Sequence, residues 1–312
     1  RQLDDSNWFN LRYHTLRRIA KLARAKSRGF YGARVSLIPH QLYIADEVAK
    51  RFAPRVLLAD EVGLGKTIEA GLIIHHQLLT SRAERILIII PQALTFQWFV
   101  ELIRRFNLRF TILNEERCLQ IESDNSPGYG QEEEQESKRI NNPFDAQQLI
   151  LCSTDLFLNN QERLLQALKS KWDLVVVDEA HHLRWSPDKS SREYEVVEKI
   201  SEVTRGLLLL TATPEQLGEE GHFARLRLLD PNRFYSYDKF RQEQKNFQKV
   251  AEKAQAILVL RNSSSARNQT DPESKTKQKK IEELLDQHGT GRVLFRNVRS
   301  STRGFPNRIL YS

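Results

Sequence analysis

The chain has 312 residues, 40% hydrophobic and 28% charged, a balance that is typical of a folded protein and excludes a disordered one. Its length fits one large or two ordinary domains. No apolar run is long enough for a transmembrane helix and the first residues lack a signal-peptide core, so no membrane partner is expected. Two cysteines, Cys118 and Cys152, are too few for a disulfide framework or a zinc site and indicate reduced thiols in the cytoplasm.

The net charge of +8 favours a polyanionic partner such as nucleic acid, although simple solubility explains it equally well. The charge is uneven, with an acidic cluster in residues 132–136 and a basic cluster in residues 275–280. The basic cluster is interpreted first as a solvated segment. Methionine is absent even at the start, which suggests a piece excised from a longer protein.

Taken in chain order, the first predicted element is a basic helix over residues 8–27, followed by a helix over 40–52 that Pro39 begins. Short apolar strands then alternate with helical patterns: strand 55–59, helix 68–79, strand 86–90, helix 96–106, strands 110–113 and 149–152, helix 161–168, and strands 174–177 and 207–210. This alternation predicts an α/β fold with a mostly parallel central sheet covered by helices on both faces. Residues 122–143 and 261–280 are polar and predict loops, and the pattern after Pro231 is mostly helical.

The sequence DEVGLGKT at residues 60–67 ends in the pattern of a phosphate-binding loop. Gly63 and Gly65 allow backbone N–H groups to approach phosphate oxygens, and the helix that follows directs its N-terminal dipole at them. Lys66 supplies a charge for the β and γ phosphates and Thr67 a hydroxyl for Mg²⁺. Asp60 stands where such loops usually have their first glycine, so a ligand-free glycine turn is the alternative. The strand before the loop and the helix after it make that alternative the weaker one.

Asp178 and Glu179 follow an apolar strand directly, which places them at the edge of the sheet where ligands bind in open α/β folds. Asp178 is predicted to hold Mg²⁺ and Glu179 to orient or activate the attacking water. A pair of solvated acids is the alternative, which the phosphate loop makes less favourable. His181 and His182 have no third ligand at metal spacing and are assigned to coupling and polar contacts.

The segment TATP at residues 211–214 sits at another strand end. The hydroxyls of Thr211 and Thr213 are candidates for linking the nucleotide site to a partner surface. The motif alone is weak evidence, since Thr and Pro are also ordinary turn residues.

Phosphate loop, DEAH and TAT motifs in this order resemble the first, RecA-like lobe of a superfamily-two helicase motor, which is a P-loop NTPase fold. Asp60-Glu61 before GLGKT, IPHQL at 38–42 and IIPQALTFQWFVEL at 89–102 are more narrowly similar to the Snf-type double-stranded DNA translocases. His40 stands at the position where that family usually has an aromatic residue, whose ring would stack on the base. Longer stretches, DEAHHL, TATPEQLG and HFARLRLLDPNRF among them, resemble the branch of this family that associates with bacterial RNA polymerase.

The resemblance implies ATP and Mg²⁺ as ligands, and duplex DNA and RNA polymerase as partners of a monomeric, cytoplasmic, nucleoid-associated bacterial protein. It implies an adenine contact by Gln41, and nucleotide contacts by the whole loop, which comprises Asp60, Glu61, Val62, Gly63, Leu64, Gly65, Lys66 and Thr67. It implies coupling roles for His181, Thr211 and Thr213, and it implies DNA contacts by Pro91, Gln92, Ser153 and Thr154.

The domain organisation that follows is a helical linker over residues 1–34, the ATP-binding lobe over 35–235, and a helical or flexible extension over 236–312. The extension leads toward a second lobe that this chain lacks and that carries the arginine fingers in the family. Since an arginine finger contributes about 10³–10⁵ in rate, the lobe alone is expected to bind ATP but hydrolyse it slowly.

Two alternatives remain open from the sequence. One is a strand-separating or restriction-type helicase motor, because DEAHH is shared with such enzymes. The other is a nucleotide-gated module that binds polymerase or nucleic acid without activity of its own.

Overall fold

The protein was studied as a computed structural model, which describes residues 5–24, 32–36, 38–61, 63–124, 142–212, 218–245 and 293–295. The predictions for Val62, for Thr213, for most of the loop over 122–143 and for all of the loop over 261–280 fall outside these ranges.

Nine helices and seven strands are defined in this part of the chain. The helices are α1 (Ser6–Arg24), α2 (Pro39–Ala49), α3 (Lys66–Leu79), α4 (Thr95–Phe106), α5 (Glu115–Asp124), α6 (Thr154–Asn159), α7 (Gln161–Lys169), α8 (Arg192–Val203) and α9 (Gly218–Leu229). The strands are β1 (Arg55–Leu58), β2 (Ile86–Ile90), β3 (Thr111–Leu113), β4 (Leu149–Ser153), β5 (Leu174–Val177), β6 (Gly206–Leu210) and β7 (Leu294–Phe295). Residues 237–245 are also helical.

The strands form one sheet in the order β3-β4-β2-β5-β6-β1-β7, with every neighbouring pair parallel. Parallel strands buried on both faces need apolar residues at nearly every position, which is why strands such as ILIII of β2 show no alternation. The predicted α/β fold is confirmed, and the six predicted strands end within one residue of the observed ones.

Side chains alternate between the two faces of the sheet and meet a separate helical layer on each. Leu57 of β1 and Val175 of β5 face α6, α7, α8 and α9, whereas Val56 and Val176 face α2, α3 and α4. Each buried aliphatic side chain of this kind contributes about 1.5–3 kcal/mol, so the two layers fix the sheet firmly.

One strand lies in a stretch for which the sequence indicates helix or flexible chain. Leu57 and Leu58 of β1 pair with Leu294 and Phe295 of β7. A short part of the residues after 235 thus adds to the edge of the sheet beside the phosphate-loop strand. The domain boundary at residue 235 stays a prediction.

None of the helices in the described residues is both long enough and apolar enough to cross a membrane.

Candidate nucleotide site

The phosphate loop joins β1 to α3 and takes its shape from two glycines. Gly63 and Gly65 have φ angles of 83° and 91°, in the left-handed region that a side chain disfavours. Gly65 is the N-cap of α3, so the free N–H groups of the first helical turn open at the loop. The Gln41 amide fills the space beside Gly65, where a Cβ would collide with it, and donates a hydrogen bond to the Leu64 carbonyl at 2.7 Å.

Lys66 connects the loop to the carboxylates of the site. Its Nζ donates to the Asp60 carbonyl at 2.7 Å. Burial lowers the pKa of Lys66, while the nearby carboxyl groups oppose this shift, in the order Glu179, Asp60, Glu69 and Asp178. The predicted phosphate loop and the predicted carboxylate pair therefore meet at one place.

A buried polar cluster lies beneath the loop. Asp60 and Glu69 are fully buried, and His40 Nε2 is 3.6 Å from Glu69 Oε1 and 4.0 Å from Asp60 Oδ2. Burial, followed by the charge of Asp60 and its hydrogen bond, raises the pKa of Glu69 to about 9. The raised pKa favours the neutral form of Glu69, which lies in the first turn of α3, directly behind the loop.

Asp178 is held by two donors from different parts of the chain. The Trp98 indole Nε1 donates to Oδ2 at 2.7 Å, and the Glu179 backbone N–H donates to Oδ1 at 2.8 Å. Burial raises the pKa of Asp178, and the two hydrogen bonds oppose that shift because they favour the ionised form. The carboxylate is fixed in orientation at the carboxyl end of β5.

Glu179 occupies a strained backbone position. Its φ of 52° is in the left-handed region, which is uncommon for a residue with a side chain. His181 Nδ1 lies 2.9 Å from Glu179 Oε2. Burial, followed by the charge of His182, lowers the pKa of His181, which favours a neutral imidazole beside the Glu179 carboxylate.

Thr211 follows β6, the strand between the phosphate-loop strand and the DEAH strand. Its N–H donates to the Leu58 carbonyl at 3.0 Å. Its hydroxyl is buried and has no hydrogen-bond partner among the residues that the structure describes. A buried hydroxyl of this kind can donate a hydrogen bond to a group that enters the site, or accept one from it.

The four predicted DNA-contact residues come together at the same edge of the sheet, at the ends of β2 and β4. Pro91 and Thr154 are half-buried, Gln92 is exposed, and Thr154 Oγ1 donates weakly to the Ile90 carbonyl at 3.4 Å. Gln92 and Ser153 line a cavity of about 560 Å³ whose wall also includes polar residues of α5 and α6. These residues form a polar surface beside the nucleotide site.

The side chains present fit an adenine nucleotide with Mg²⁺. The loop offers backbone N–H groups and one lysine for phosphates, and Thr67 and Asp178 offer hard oxygen ligands, which Mg²⁺ prefers. Gly65 has no room for a Cβ because the Gln41 amide packs against it, so Gln41 is held against the loop.

Sequence patterns did not reveal two parts of this site. Trp98 was recognised only as part of a motif, and its hydrogen bond to Asp178 joins α4 to β5. Glu69 in the helix start GKTIE has the appearance of an ordinary acid of a first helical turn, yet it is fully buried. The sequence offers one signal for Glu69: it is an acidic residue within an otherwise mostly apolar stretch of α3.

Comparison with known proteins agrees with the site. Residues 40–307 match the family model described as the SNF2-related domain. The chain is 51% identical to the RNA polymerase-associated protein RapA of Vibrio campbellii and 50% identical to that of Vibrio atlanticus, over 99% and 98% of its length. It spans about a third of the length of these relatives (33% and 32%).

The fold is also found in solved structures. The SWI2/SNF2 ATPase core of Sulfolobus solfataricus in complex with double-stranded DNA superposes with a TM-score of 0.57 at 18% identity, covering 86% of this chain and 46% of that one. The same core without DNA gives a TM-score of 0.53 at 17% identity, covering 86% of this chain and 44% of that one. The family match extends over most of the sequence and includes the phosphate loop and both carboxylates, so the chain belongs to the family of proteins with an SNF2-related domain.

Proposed function

We propose that this chain is the ATP-binding first lobe of an ATP-dependent translocase on double-stranded DNA that works with RNA polymerase. The observation that carries the proposal is the convergence of Lys66, Asp178 and Glu179 at one edge of a parallel sheet. A lysine from one strand end and two acids from another are the side chains that contact phosphates, hold the metal ion and orient the water in such enzymes.

In the proposed reaction the residues of this lobe bind, orient and accept a proton. The loop N–H groups and Lys66 bind the phosphates, and Gln41, fixed on the loop, contacts the adenine. Thr67 and Asp178 would hold Mg²⁺, which when bound neutralises negative charge on the phosphates. Glu179 orients the attacking water and accepts its proton, and His181 Nδ1, 2.9 Å from Glu179 Oε2, holds the carboxyl group in place.

The proposed DNA surface is the edge formed by Pro91, Gln92, Ser153 and Thr154. Amide and hydroxyl groups at this edge suit phosphate and sugar contacts, which position a protein without reading sequence. Thr211, and Thr213 after it, would couple this edge to the nucleotide site. Thr211 follows β6, which lies between the phosphate-loop strand and the DEAH strand.

The proposed RNA polymerase partner rests on the relatives, which are named for that association. A polymerase partner implies a bacterial protein of the cytoplasm, near the nucleoid, and we propose that it acts as a monomer. Recycling of polymerase, or its reactivation for transcription, is the process that such a translocase would serve.

Replacing Lys66 tests the nucleotide site. In Lys66→Ala, affinity for Mg-ATP is expected to fall about 10–100-fold, since a charge-assisted contact is worth about 1.5–3 kcal/mol. Fluorescent-nucleotide titration of the lobe measures it. Lys50→Ala is the matched control, because Lys50 is an exposed lysine paired with Asp46 at the end of α2. Equal affinity in wild type and Lys66→Ala would refute the assignment of the loop.

A further inference from the structure

Helix α9 carries an arginine in the interior of the protein. Arg225 has no exposed surface, and its neighbours Ala224 and Leu226 on the helix are buried apolar residues. Burial lowers the pKa of Arg225 to about 10, and no carboxylate offsets that effect. The described part of the chain therefore contains a guanidinium without a counter-ion.

The guanidinium is directed at the turn that bears Glu179. Nη1 donates to the Ala180 carbonyl at 3.3 Å, and Ala180 is itself fully buried. Nε and Nη2 are buried and find no acceptor among the described residues. Within the described ranges, Arg225 thus reaches one main-chain atom of the DEAH motif through Nη1 and has no acceptor for its other two nitrogens.

Stability does not account for this residue. Taking a cation out of water without a partner is costly, and apolar replacements of buried charges are often neutral or stabilising. Leucine is accommodated at two other buried positions of the same helix, Leu226 and Leu228. Leucine at position 225 would avoid the cost of burying a cation.

The Glu179–Ala180 turn, by contrast, has a strained backbone that Arg225 can stabilise. Glu179 is held at a φ of 52°, and such strain persists only where the surroundings impose it. The local bonds are those from the Glu179 N–H to Asp178 Oδ1 at 2.8 Å, from the His182 N–H to the Glu179 carbonyl at 2.9 Å and from the Leu183 N–H to the Ala180 carbonyl at 3.2 Å. Arg225 provides the hydrogen bond to this turn that comes from another helix.

We propose that Arg225 is a positioning residue for ATP hydrolysis, which fixes the Glu179–Ala180 turn from behind and so aims the Glu179 carboxylate at the attacking water. This inference rests on the ATPase function proposed above. It ties the geometry of the carboxylate to helix α9. Phe223 of the same helix packs with Phe234 and Phe240, so α9 connects this aromatic cluster to the Glu179–Ala180 turn.

The test compares Arg225→Leu with wild type in the full-length protein. We expect kcat for ATP to fall about 10–100-fold, since a carboxylate displaced by an ångström loses that much rate. KM and the affinity for a non-hydrolysable ATP analogue should change less than about threefold, because Arg225 does not touch the loop. The melting temperature should stay level or rise, because a lone buried charge has been removed.

Arg225→Lys keeps the charge and a donor nitrogen that can reach the Ala180 carbonyl, and its kcat should be several-fold higher than that of Arg225→Leu. Arg227→Leu is the matched control: it is two residues further along α9, half-exposed, and paired with Glu198 at 3.4 Å. Its kcat should equal that of wild type.

The outcomes separate the two proposals. If wild type hydrolyses ATP and Arg225→Leu does so at the same kcat, the positioning role is refuted and the ATPase function stands. A large fall in melting temperature together with loss of nucleotide affinity would also refute it, since Arg225 would then be structural. If wild type binds no ATP, the proposed function itself fails.

Discussion

At the scale of single residues, the site depends on side chains that hold the two carboxylates in place from outside the motif. Trp98 comes from the helix after β2, yet its indole N–H fixes one oxygen of Asp178 while the backbone fixes the other. A carboxylate held in this way presents a defined lone pair to a metal ion. Removing a hydrogen bond to a metal-binding side chain commonly lowers metal affinity about 10–100-fold.

Trp98→Phe should weaken Mg²⁺ binding while leaving the ring packing largely intact. The Mg²⁺ concentration for half-maximal ATPase rate is expected to rise up to about tenfold, since a hydrogen bond to a charged group is worth about 1.5 kcal/mol or more. A Mg²⁺ titration at saturating ATP measures this in the full-length protein.

Trp172→Phe is the control for this prediction. Trp172 is equally buried, and its Nε1 donates to the Ala167 carbonyl at 2.9 Å, far from the carboxylates. It should cost some stability and leave the Mg²⁺ dependence unchanged. Identical Mg²⁺ dependence in both variants would show that the Trp98 hydrogen bond does not serve the metal site.

At the scale of elements, α9 is the helix that joins the sheet to the aromatic cluster behind the DEAH turn. Its Ala224 and Leu228 pack on the sheet layer, whereas Phe223 and Leu226 pack with Phe234 and Phe240. His222 lies on the same helix, with its ring 6.0 Å from that of Phe240. The helix therefore places two side chains that can carry a positive charge, His222 and Arg225, among apolar residues.

Acid should destabilise this helix through His222. Burial, followed by the charge of Arg225, lowers the pKa of His222 from 6.5 to about 4, so the folded chain binds a proton less readily than the unfolded chain. The stability linked to His222 is thus present above pH 6.5 and is lost as the pH falls toward 4. The loss is on the order of 1–3 kcal/mol.

His222→Gln removes the titrating group and should flatten the decline of melting temperature between pH 7 and pH 4.5, which thermal denaturation at several pH values would show. His14→Gln on the exposed helix α1 is the control and should keep the wild-type decline. An unchanged decline in His222→Gln would assign the acid sensitivity to other groups.

The elements were predictable to different degrees for physical reasons. Buried parallel strands leave an apolar run that stands out, so six strands and the motifs at their ends were located from the sequence. The strand β7 is only two residues long, and a helix such as α8 has mixed polarity, so neither was predicted. Local patterns also gave no sign of Arg225, because an arginine between Ala224 and Leu226 has the same sequence pattern whether it faces water or the Ala180 carbonyl.

At the scale of the whole molecule, the net charge of +8 and the polar edge beside the nucleotide site act together in the proposed encounter with DNA. Charge attracts the duplex over a distance, and the neutral groups of Gln92, Ser153 and Thr154 set its position on contact. The order of strands was not predictable, because it depends on which buried surfaces fit together. That order brings the phosphate loop, the DEAH turn and the proposed DNA edge to one side of the sheet.

Duplex binding by the lobe should be weak and steeply dependent on salt. Between 50 and 200 mM salt we expect affinity to fall roughly 10–50-fold, as for about three phosphate contacts. Fluorescence anisotropy with a short duplex measures it. Gln92→Ala should lower affinity without altering the salt slope, since no charge is lost. Equal affinity at both salt concentrations would contradict an electrostatic contribution from the lobe.

The pairing of the phosphate-loop strand has a consequence for biosynthesis. Arg55 of β1 pairs with Leu207 of β6, and Leu57 pairs with Leu294 of β7, so both neighbours of β1 are made long after it. At about 5–20 residues per second, the nascent β1 waits on the order of ten seconds for its first partner. During that interval its apolar residues leave the ribosome with both hydrogen-bonding edges open. The growing chain should therefore need a chaperone until residue 210 has emerged.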